Sequence, residues 1–255
     1  METKNPHLVK DEENSGSNIR LNKFIANAGV CSRRAADKII EEGRVQVNGA
    51  IVKNLGAKVS TFDKVLVDNK IITAEKKKYI LINKPKNTIC TRSDENDRKT
   101  VIDLLPEKLQ HLYPVGRLDR NTTGVLLLTN DGNLTQNLLH PSKKIKKVYK
   151  AKLAKRLSQE ELDQLATGIT LDDGLSKFDK IVELQEDNEF RYGIEIHSGK
   201  NRIIRRTFEA IGNEVIKLDR VMFHTFDKRG LHKGQFRDLT EKELSSMEVY
   251  LRTKK

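Results

Sequence analysis

Apolar residues recur with two different periods along this chain, and the change of period marks out its elements. In Arg20–Gly29 (RLNKFIANAG), Leu21, Phe24, Ile25 and Ala28 fall at helical spacing and Gly29 supplies a stop. Ser32 is placed to cap a second helix with Ala35, Ala36, Ile39 and Ile40 on its buried face and Gly43 past its end. The period then drops to two. Val45–Val52 alternates around Asn48-Gly49, the signature of a hairpin, and Val65–Val67 forms a further short strand. After a linker at 74–78, strand-like runs follow at Tyr79–Asn83, Val125–Thr129, Val148–Leu153, Lys180–Leu184 and Arg191–His197. Asn130-Asp131-Gly132 reads as a turn ending the second of these. Helices intervene. One is opened by a capping box of Ser158 and Glu161, flanked by Leu157 and Leu162, and closed by Gly168. One runs from Asn201 to Ile211. One near the C-terminus follows a second capping box, Thr240 with Glu243, and presents Leu244, Met247 and Leu251. Strands and helices mix without βαβ alternation. The expected class is therefore α+β, a small two-helix module with its own sheet followed by a largely antiparallel mixed sheet flanked by helices.

At 255 residues the chain has room for about two domains, and its 36% hydrophobic content can fill their cores. Residues 1–18 are polar and read as a disordered tail. They have no apolar core for a signal peptide, and no apolar run approaches the ~18 residues that span a bilayer. Cys31 and Cys90 stand apart, with no CxxC and no histidine ladder, which argues against a zinc site or disulfide framework. A cytoplasmic, membrane-free protein is the expectation.

The net charge of +12 points to a polyanionic partner only if the cations cluster, and they do in three places. The first is Arg20, Lys23, Arg33, Arg34, Lys38 and Arg44 in the small module. Arg33 and Arg34 occupy a helix first turn, where the macrodipole disfavours cations unless a phosphate docks there. A solvated face partnered by Asp37 and Glu41 is the alternative. The second is the run from Lys143 to Arg156, uninterrupted by any acid and containing Tyr149. An aromatic among lysines suits base stacking beside a held backbone, yet it suits a strand core equally well. The third, Lys200, Arg202, Arg205 and Arg206, opens the 201–211 helix, with Ile204, Phe208 and Ile211 on the opposite face.

One carboxylate is out of place among these cations. Asp119 lies in the turn-rich loop GRLDRNTTG between Arg117 and Arg120. Flanking guanidinium groups would keep it ionised, as a nucleophile requires, but a loop salt bridge explains the residues as they stand. Walker-type, zinc-deaminase and HExxH motifs are absent.

Residues 79–94 (YILINKPKNTICTRSD), 115–132 (VGRLDRNTTGVLLLTNDG), 147–152 (KVYKAK) and 198–212 (SGKNRIIRRTFEAIG) resemble, in order, the motifs of the RsuA/RluB family of pseudouridine synthases. Residues 19–67 look like the S4 RNA-binding module that this family carries at its N-terminus. The segments CTRSDENDRKTVIDLLP, LLHPS and GITLDDG are closest to the large-subunit, RluB-like branch. The resemblance implies an S4-like domain over 19–72 and a catalytic domain over 79–252. It implies Asp119 as nucleophile toward a flipped-out uridine, Tyr149 stacked on the base, and Arg205 paired with the aspartate. Lys23, Arg33, Arg34, Arg44, Arg117, Arg120, Lys147 and Arg202 become the RNA-binding cations. No metal or organic cofactor is implied. The partner is ribosomal RNA, most simply the large-subunit (23S) RNA, bound by a monomer. Two departures stand out: Asn87 where the family often has Gly, and Ile203 where it commonly has a polar residue. A non-catalytic ribosome-assembly protein and a small-subunit synthase are the competing readings.

Overall fold

The computed structural model describes residues 18–253, except 61, 74, 93 and 186–188. Of the expected tail at 1–18, residues 1–17 lie outside the described residues. The chain separates into two compact units between Lys76 and Lys77.

The first unit begins with β1 (Ile19–Arg20), α1 (Leu21–Asn27) and α2 (Arg33–Glu41). The expected cap is present: Ser32 Oγ accepts the Ala35 N–H at 3.2 Å. Then come β2 (Val45–Val47), β3 (Ala50–Ile51), β4 (Lys58–Val59), β5 (Val65–Val67) and β6 (Lys70–Ile72). The hairpin β2–β3 closes on Asn48-Gly49, and β2 also pairs with β5, giving the order β3-β2-β5-β6; β1 pairs with β4. Leu21, Phe24, Ile25, Ala36, Ile40, Val45, Val59, Val65 and Val67 form its core.

The second unit contains β7 (Tyr79–Lys84), β8 (Tyr113–Pro114), β9 (Thr123–Thr129), α3 (Gly132–Leu139), β10 (Lys147–Leu153), α4 (Gln159–Thr167), β11 (Ile169–Leu171), β12 (Gly174–Ser176), β13 (Lys180–Leu184), β14 (Arg191–Ile196), α5 (Ile203–Ala210), β15 (Val215–Phe223), β16 (Phe226–Asp227), β17 (Phe236–Asp238) and α6 (Glu241–Thr253). Its main sheet runs β13-β14-β10-β15-β9-β7-β17, antiparallel except for β9 and β15. This is the mixed, largely antiparallel sheet of an α+β protein. Its middle is buried on both faces, as the unbroken burial of β9 shows. Ile80, Ile82, Leu126 and Leu128 point into one layer with Tyr149, Tyr192, Ile203, Ile204 and Phe208 of α5. Leu81, Val125 and Leu127 point into the other with Leu134 and Leu138 of α3 and Met247 of α6. The two-residue period of each strand thus serves two cores. Both capping boxes are present, Ser158 with Glu161 and Thr240 with Glu243.

Two expectations are corrected, and one strand joins those the pattern announced. Asn130-Asp131-Gly132 is not a simple turn: Asp131 caps α3, its carboxylate accepting the Asn133 and Leu134 N–H groups at 3.1 Å each. The helix placed at Asn201–Ile211 spans Ile203–Ala210, with Arg202 left-handed just outside it. Arg202 therefore does not share a helical face with Arg205 and Arg206. Most consequentially, β15 lies in the middle of the sheet although Lys217, Asp219 and Arg220 dilute its apolar pattern. Among the described residues, no helix is long and apolar enough to cross a membrane.

Candidate active site

The loop carrying Asp119 is held from several sides by its own backbone. Thr122 N–H closes the turn onto Asp119 O at 3.0 Å. Leu118 donates its N–H to Cys90 Sγ (3.3 Å) and accepts the thiol at its carbonyl (3.4 Å), tying the loop to the 89–92 segment. Lys84, fully buried at the end of β7, donates its ammonium to Pro85 O (3.0 Å), Thr88 O (2.8 Å) and Arg120 O (3.3 Å). Burial pulls its pKa down, opposed by the charges of Cys90 and Asp119. In the turn Lys84 braces, Asn87 has a φ of +57°. The departure from glycine is thus accommodated by a residue that tolerates the left-handed region.

Beneath this loop, a single cross-strand row joins four central strands. Lys84 on β7 pairs with Gly124 on β9, Gly124 with Arg220 on β15, and Arg220 with Tyr149 on β10. Between Tyr149 and Val148 the register shifts, leaving Val221 as an extra residue on β15. Such a bulge re-aims the side chains beside it. Tyr149 is 9% exposed; it belongs to the core and also lines the pocket.

Asp119, Tyr149 and Arg205 line one pocket of about 130 Å³. Lys147, Arg220, Arg117, Lys200 and Arg202 line it too, making six cations against one carboxylate. Leu118, Ile203, Ile204, Leu218 and Phe223 supply its apolar wall. At roughly 10–15 Å³ per water, it has space for about ten waters, enough for a single-ring base. A groove of about 1020 Å³ shares Arg117, Asp119, Lys147, Lys200 and Arg202 with it and continues past Arg98 and His140. The carboxylate faces a remote cation rather than depending on its neighbours in sequence: Arg205 Nε stands 3.7 Å from Asp119 Oδ2. Arg205 is fixed in turn by donating to Val215 O at 2.7 Å, and burial lowers its pKa while Asp119 works in the opposite direction. Arg117 and Arg120 are both exposed, and Arg117 also lines the pocket.

The other cations sort differently from their sequence clusters. Lys147 is drawn into the pocket, donating to His197 O (2.8 Å) and Ile145 O (3.1 Å). Burial, and then the Arg220 charge, bring its pKa down to about 8, against an upward pull from Asp179. The acid-free run around it is compensated across strands: Lys146 pairs with Glu195 at 2.7 Å, Lys152 with Glu189, and Arg156 with Glu183 at 3.0 Å. Arg206 pairs with Asp172 and Asp173, and Arg202 lies 3.5 Å from Glu209. In the first unit, Arg33 and Arg34 stand exposed at the start of α2, Arg33 donating to Asn22 Oδ1 at 3.4 Å, and Lys23 lies half-buried on α1. Arg44 is bound by both carboxylate oxygens of Asp68, at 2.8 and 2.6 Å, and by Glu42 at 3.1 Å. Its charge is neutralised locally. Sequence reasoning passed over Lys84, Cys90 and Arg220. The first ends an apolar strand run before Pro85, a detectable signal; the other two give none.

Comparisons with known proteins agree with this arrangement. The model of the RNA pseudouridylate synthase family matches residues 78–210, and that of the S4 domain matches residues 19–65. The ribosomal large subunit pseudouridine synthase B of Bacillus subtilis is 43% identical over 89% of this chain and 95% of its own length. The chain belongs to the RNA pseudouridylate synthase family. An uncharacterized RNA pseudouridine synthase of Aquifex aeolicus is 39% identical over 90% of this chain and 93% of its own. A crystal structure of a pseudouridylate synthase superposes with a TM-score of 0.65 at 29% identity, covering 90% of this chain and 99% of the other. This synthase is therefore an isomerase with an N-terminal S4 domain, as the ordered motifs implied.

Proposed function

We propose that this synthase converts a specific uridine of large-subunit ribosomal RNA to pseudouridine, acting as a cytoplasmic monomer, with Asp119 as nucleophile. The observation that carries the reading is the pairing of Asp119 with Arg205 in a base-sized pocket that Tyr149 also lines. The large-subunit target is supported by the names of relatives such as the Bacillus subtilis enzyme.

The chemistry is an isomerisation, so its electrons balance within the nucleotide. Asp119 attacks C1′ of the extruded nucleoside, an Oδ–C1′ bond forms, and the C1′–N1 bond breaks with its pair passing into the uracil ring. The ring turns, C5 supplies the pair for a new bond to C1′ while the Oδ–C1′ bond breaks and returns its pair to the Asp119 carboxylate, the C5 proton leaves to a base, and N1 takes up a proton. Arg205 orients the carboxylate and complements its charge across the 3.7 Å between Nε and Oδ2. Tyr149 stacks on the base, and such stacking, ~1–3 kcal/mol, offsets part of the few kcal/mol that extrusion costs. Exposed Arg117 and Arg202 hold phosphates along the groove, exposed Arg120 adds a cation on the Asp119 loop, and Lys23, Arg33 and Arg34 are the RNA-binding cations of the S4 domain.

The test is pseudouridine mapping of ribosomal RNA from cells lacking the protein, complemented with wild type or Asp119→Ala. Wild type is expected to restore one missing large-subunit pseudouridine. Asp119→Ala is expected to leave it absent while RNA affinity stays within a few-fold. Full activity of that variant would remove Asp119 from its role.

A further inference from the structure

Arg220 is 3% exposed, yet its guanidinium is only partly satisfied. Nε donates to Val125 O at 2.8 Å, whereas Nη2 is buried and, among the described residues, has no hydrogen-bond partner. Its charge lies over the Phe223 ring, 4.8 Å from the centroid, and no ion pair to it is seen among the described residues. Buried donors are almost always paired, because leaving one unmade forfeits its hydration with nothing in return. A second cation aggravates the cost: Lys147 lines the same pocket, its charge and that of Arg220 repel, and among the described residues its ammonium is anchored on the backbone carbonyls of Ile145 and His197. The fold nevertheless holds Arg220 firmly. The bulge at Val221 fixes its direction, and Gly124 allows β9 to approach β15 so closely that a Cβ there would stand 2.2 Å from Arg220 O. Two cations kept in a small pocket, one with an open donor, describe a site awaiting negative charge.

We propose that Arg220 is a further substrate-contacting residue of this synthase: its free Nη2 donates to a carbonyl oxygen of the extruded uracil and, with Lys147, stabilises the negative charge that the base acquires as its glycosidic bond breaks. The proposal rests on the reading of this pocket as the uridine site. A phosphate is the poorer occupant for Nη2, because that atom is buried among the residues of the pocket, whereas Arg117 and Arg202, exposed and lining the wider groove as well, are the cations that a phosphate meets first. Uracil fits both halves of the site, a planar face for Tyr149 and oxygens for the cations. When C1′–N1 cleaves, the bonding pair delocalises from N1 onto O2 and O4, so a hydrogen bond to either oxygen strengthens toward the transition state. Only interactions that strengthen in this way accelerate the step. Return of the pair to form C1′–C5 discharges the ring, and no external reductant or acceptor is needed.

The experiment is single-turnover conversion of the RNA fragment found by the mapping above. Its target position carries uridine, 2-thiouridine or 4-thiouridine, and wild type is compared with Arg220→Met and Arg220→Lys. Sulfur accepts hydrogen bonds poorly, so one of the two thio-substitutions is expected to slow wild type. Arg220→Met is expected to slow conversion of uridine about 100-fold, the usual cost of losing one donor to developing charge, with RNA affinity within a few-fold. That same thio-substitution is expected to cost nothing further in Arg220→Met, where the donor it would weaken is absent, and to cost less than in wild type in Arg220→Lys, whose shorter ammonium is displaced from the Nη2 position. Arg220→Lys keeps the charge and serves if Arg220→Met fails to fold, which a thermal melt reveals. Thio penalties that persist in full in a folded variant, or a uridine rate within threefold of wild type, would overturn the proposal. Failure of the broader reading looks different, since there Asp119→Ala stays active whatever Arg220 does.

Discussion

Gly124→Ala is the change that most directly tests how this catalytic domain is built. Gly124 stands between Lys84 and Arg220 in the cross-strand row, with a φ of +111°. An alanine Cβ there would sit 2.2, 2.6 and 2.8 Å from the Arg220 O, N and C atoms, where real Cβ atoms essentially never come within 3.0 Å. Those atoms are backbone, so no side chain can swing away; β15 must retreat by close to an ångström. The conformation alone costs an L-residue ~1–2 kcal/mol. Overpacking adds ~1–3 kcal/mol, and weakening the short parallel pairing of β9 with β15 adds ~1 kcal/mol per hydrogen bond. The expected loss is about 4–6 kcal/mol, or roughly 8–24 °C in Tm for a domain of this size. Gly212→Ala is the control. Its φ is +72°, with no atom within 4 Å of the added Cβ, so it carries the strain without the collision and should cost ~1 kcal/mol. Thermal and urea melts of both variants check the difference. A Gly124→Ala protein within 1 kcal/mol of Gly212→Ala would refute the close approach of the two strands.

Two further predictions concern the lysines of the site. Lys84→Met leaves three carbonyls without their ammonium, and unmade buried bonds at ~1–3 kcal/mol each, less the relief of burying no charge, give an expected loss of ~2–4 kcal/mol. Because one carbonyl belongs to Arg120, conversion rate should fall by more than the melt accounts for; a rate loss explained wholly by unfolding would sever Lys84 from the loop. Lys147 should give activity an alkaline limb near pH 8, the value to which burial and Arg220 depress its pKa against the pull of Asp179. Stability should move the other way. Below about pH 8 the ammonium is charged in both folded and unfolded chains and its burial penalty is complete, and as pH rises toward the ordinary lysine value of 10.5 the folded form sheds its proton first and that penalty shrinks. Lys147→Arg should move the limb to higher pH, and an unmoved limb in rate-against-pH profiles would exclude Lys147 as its source.

Much of the fold could be read from period and punctuation. The S4 helices, the hairpin at Asn48-Gly49 and both capping boxes are local decisions, taken within a few residues by chemistry that does not depend on the rest of the chain. The losses came where a tertiary partner decides. β15 is a central strand because β9 and β10 flank it, and Lys217, Asp219 and Arg220 hid its apolar side. Asp131 reads as a turn former until α3 offers it two free N–H groups and Lys77 and Tyr79 reach its other oxygen.

Charge was the least legible quantity, and the reason is geometric. The run from Lys143 to Arg156 contains no acid, yet adjacent positions on a strand face opposite sides and meet residues of other strands. Glu183, Glu189 and Glu195, all far along the chain, neutralise three of its cations, and Lys147 turns inward. Arg44 looked like part of an RNA-facing cluster until Asp68 occupied its fork. Asp119 shows the same effect in reverse. Its sequence neighbours Arg117 and Arg120 suggest local neutralisation, whereas the cation within reach of its carboxylate arrives from α5, and the groups beneath it come from β7, β10 and β15. A carboxylate held by one remote arginine, on a loop whose carbonyl is braced by a buried lysine, keeps a side open to the pocket that a fully bridged aspartate would lose. An open side is what the nucleophile role proposed for Asp119 requires, and it is a property of assembled strands rather than of any stretch of sequence.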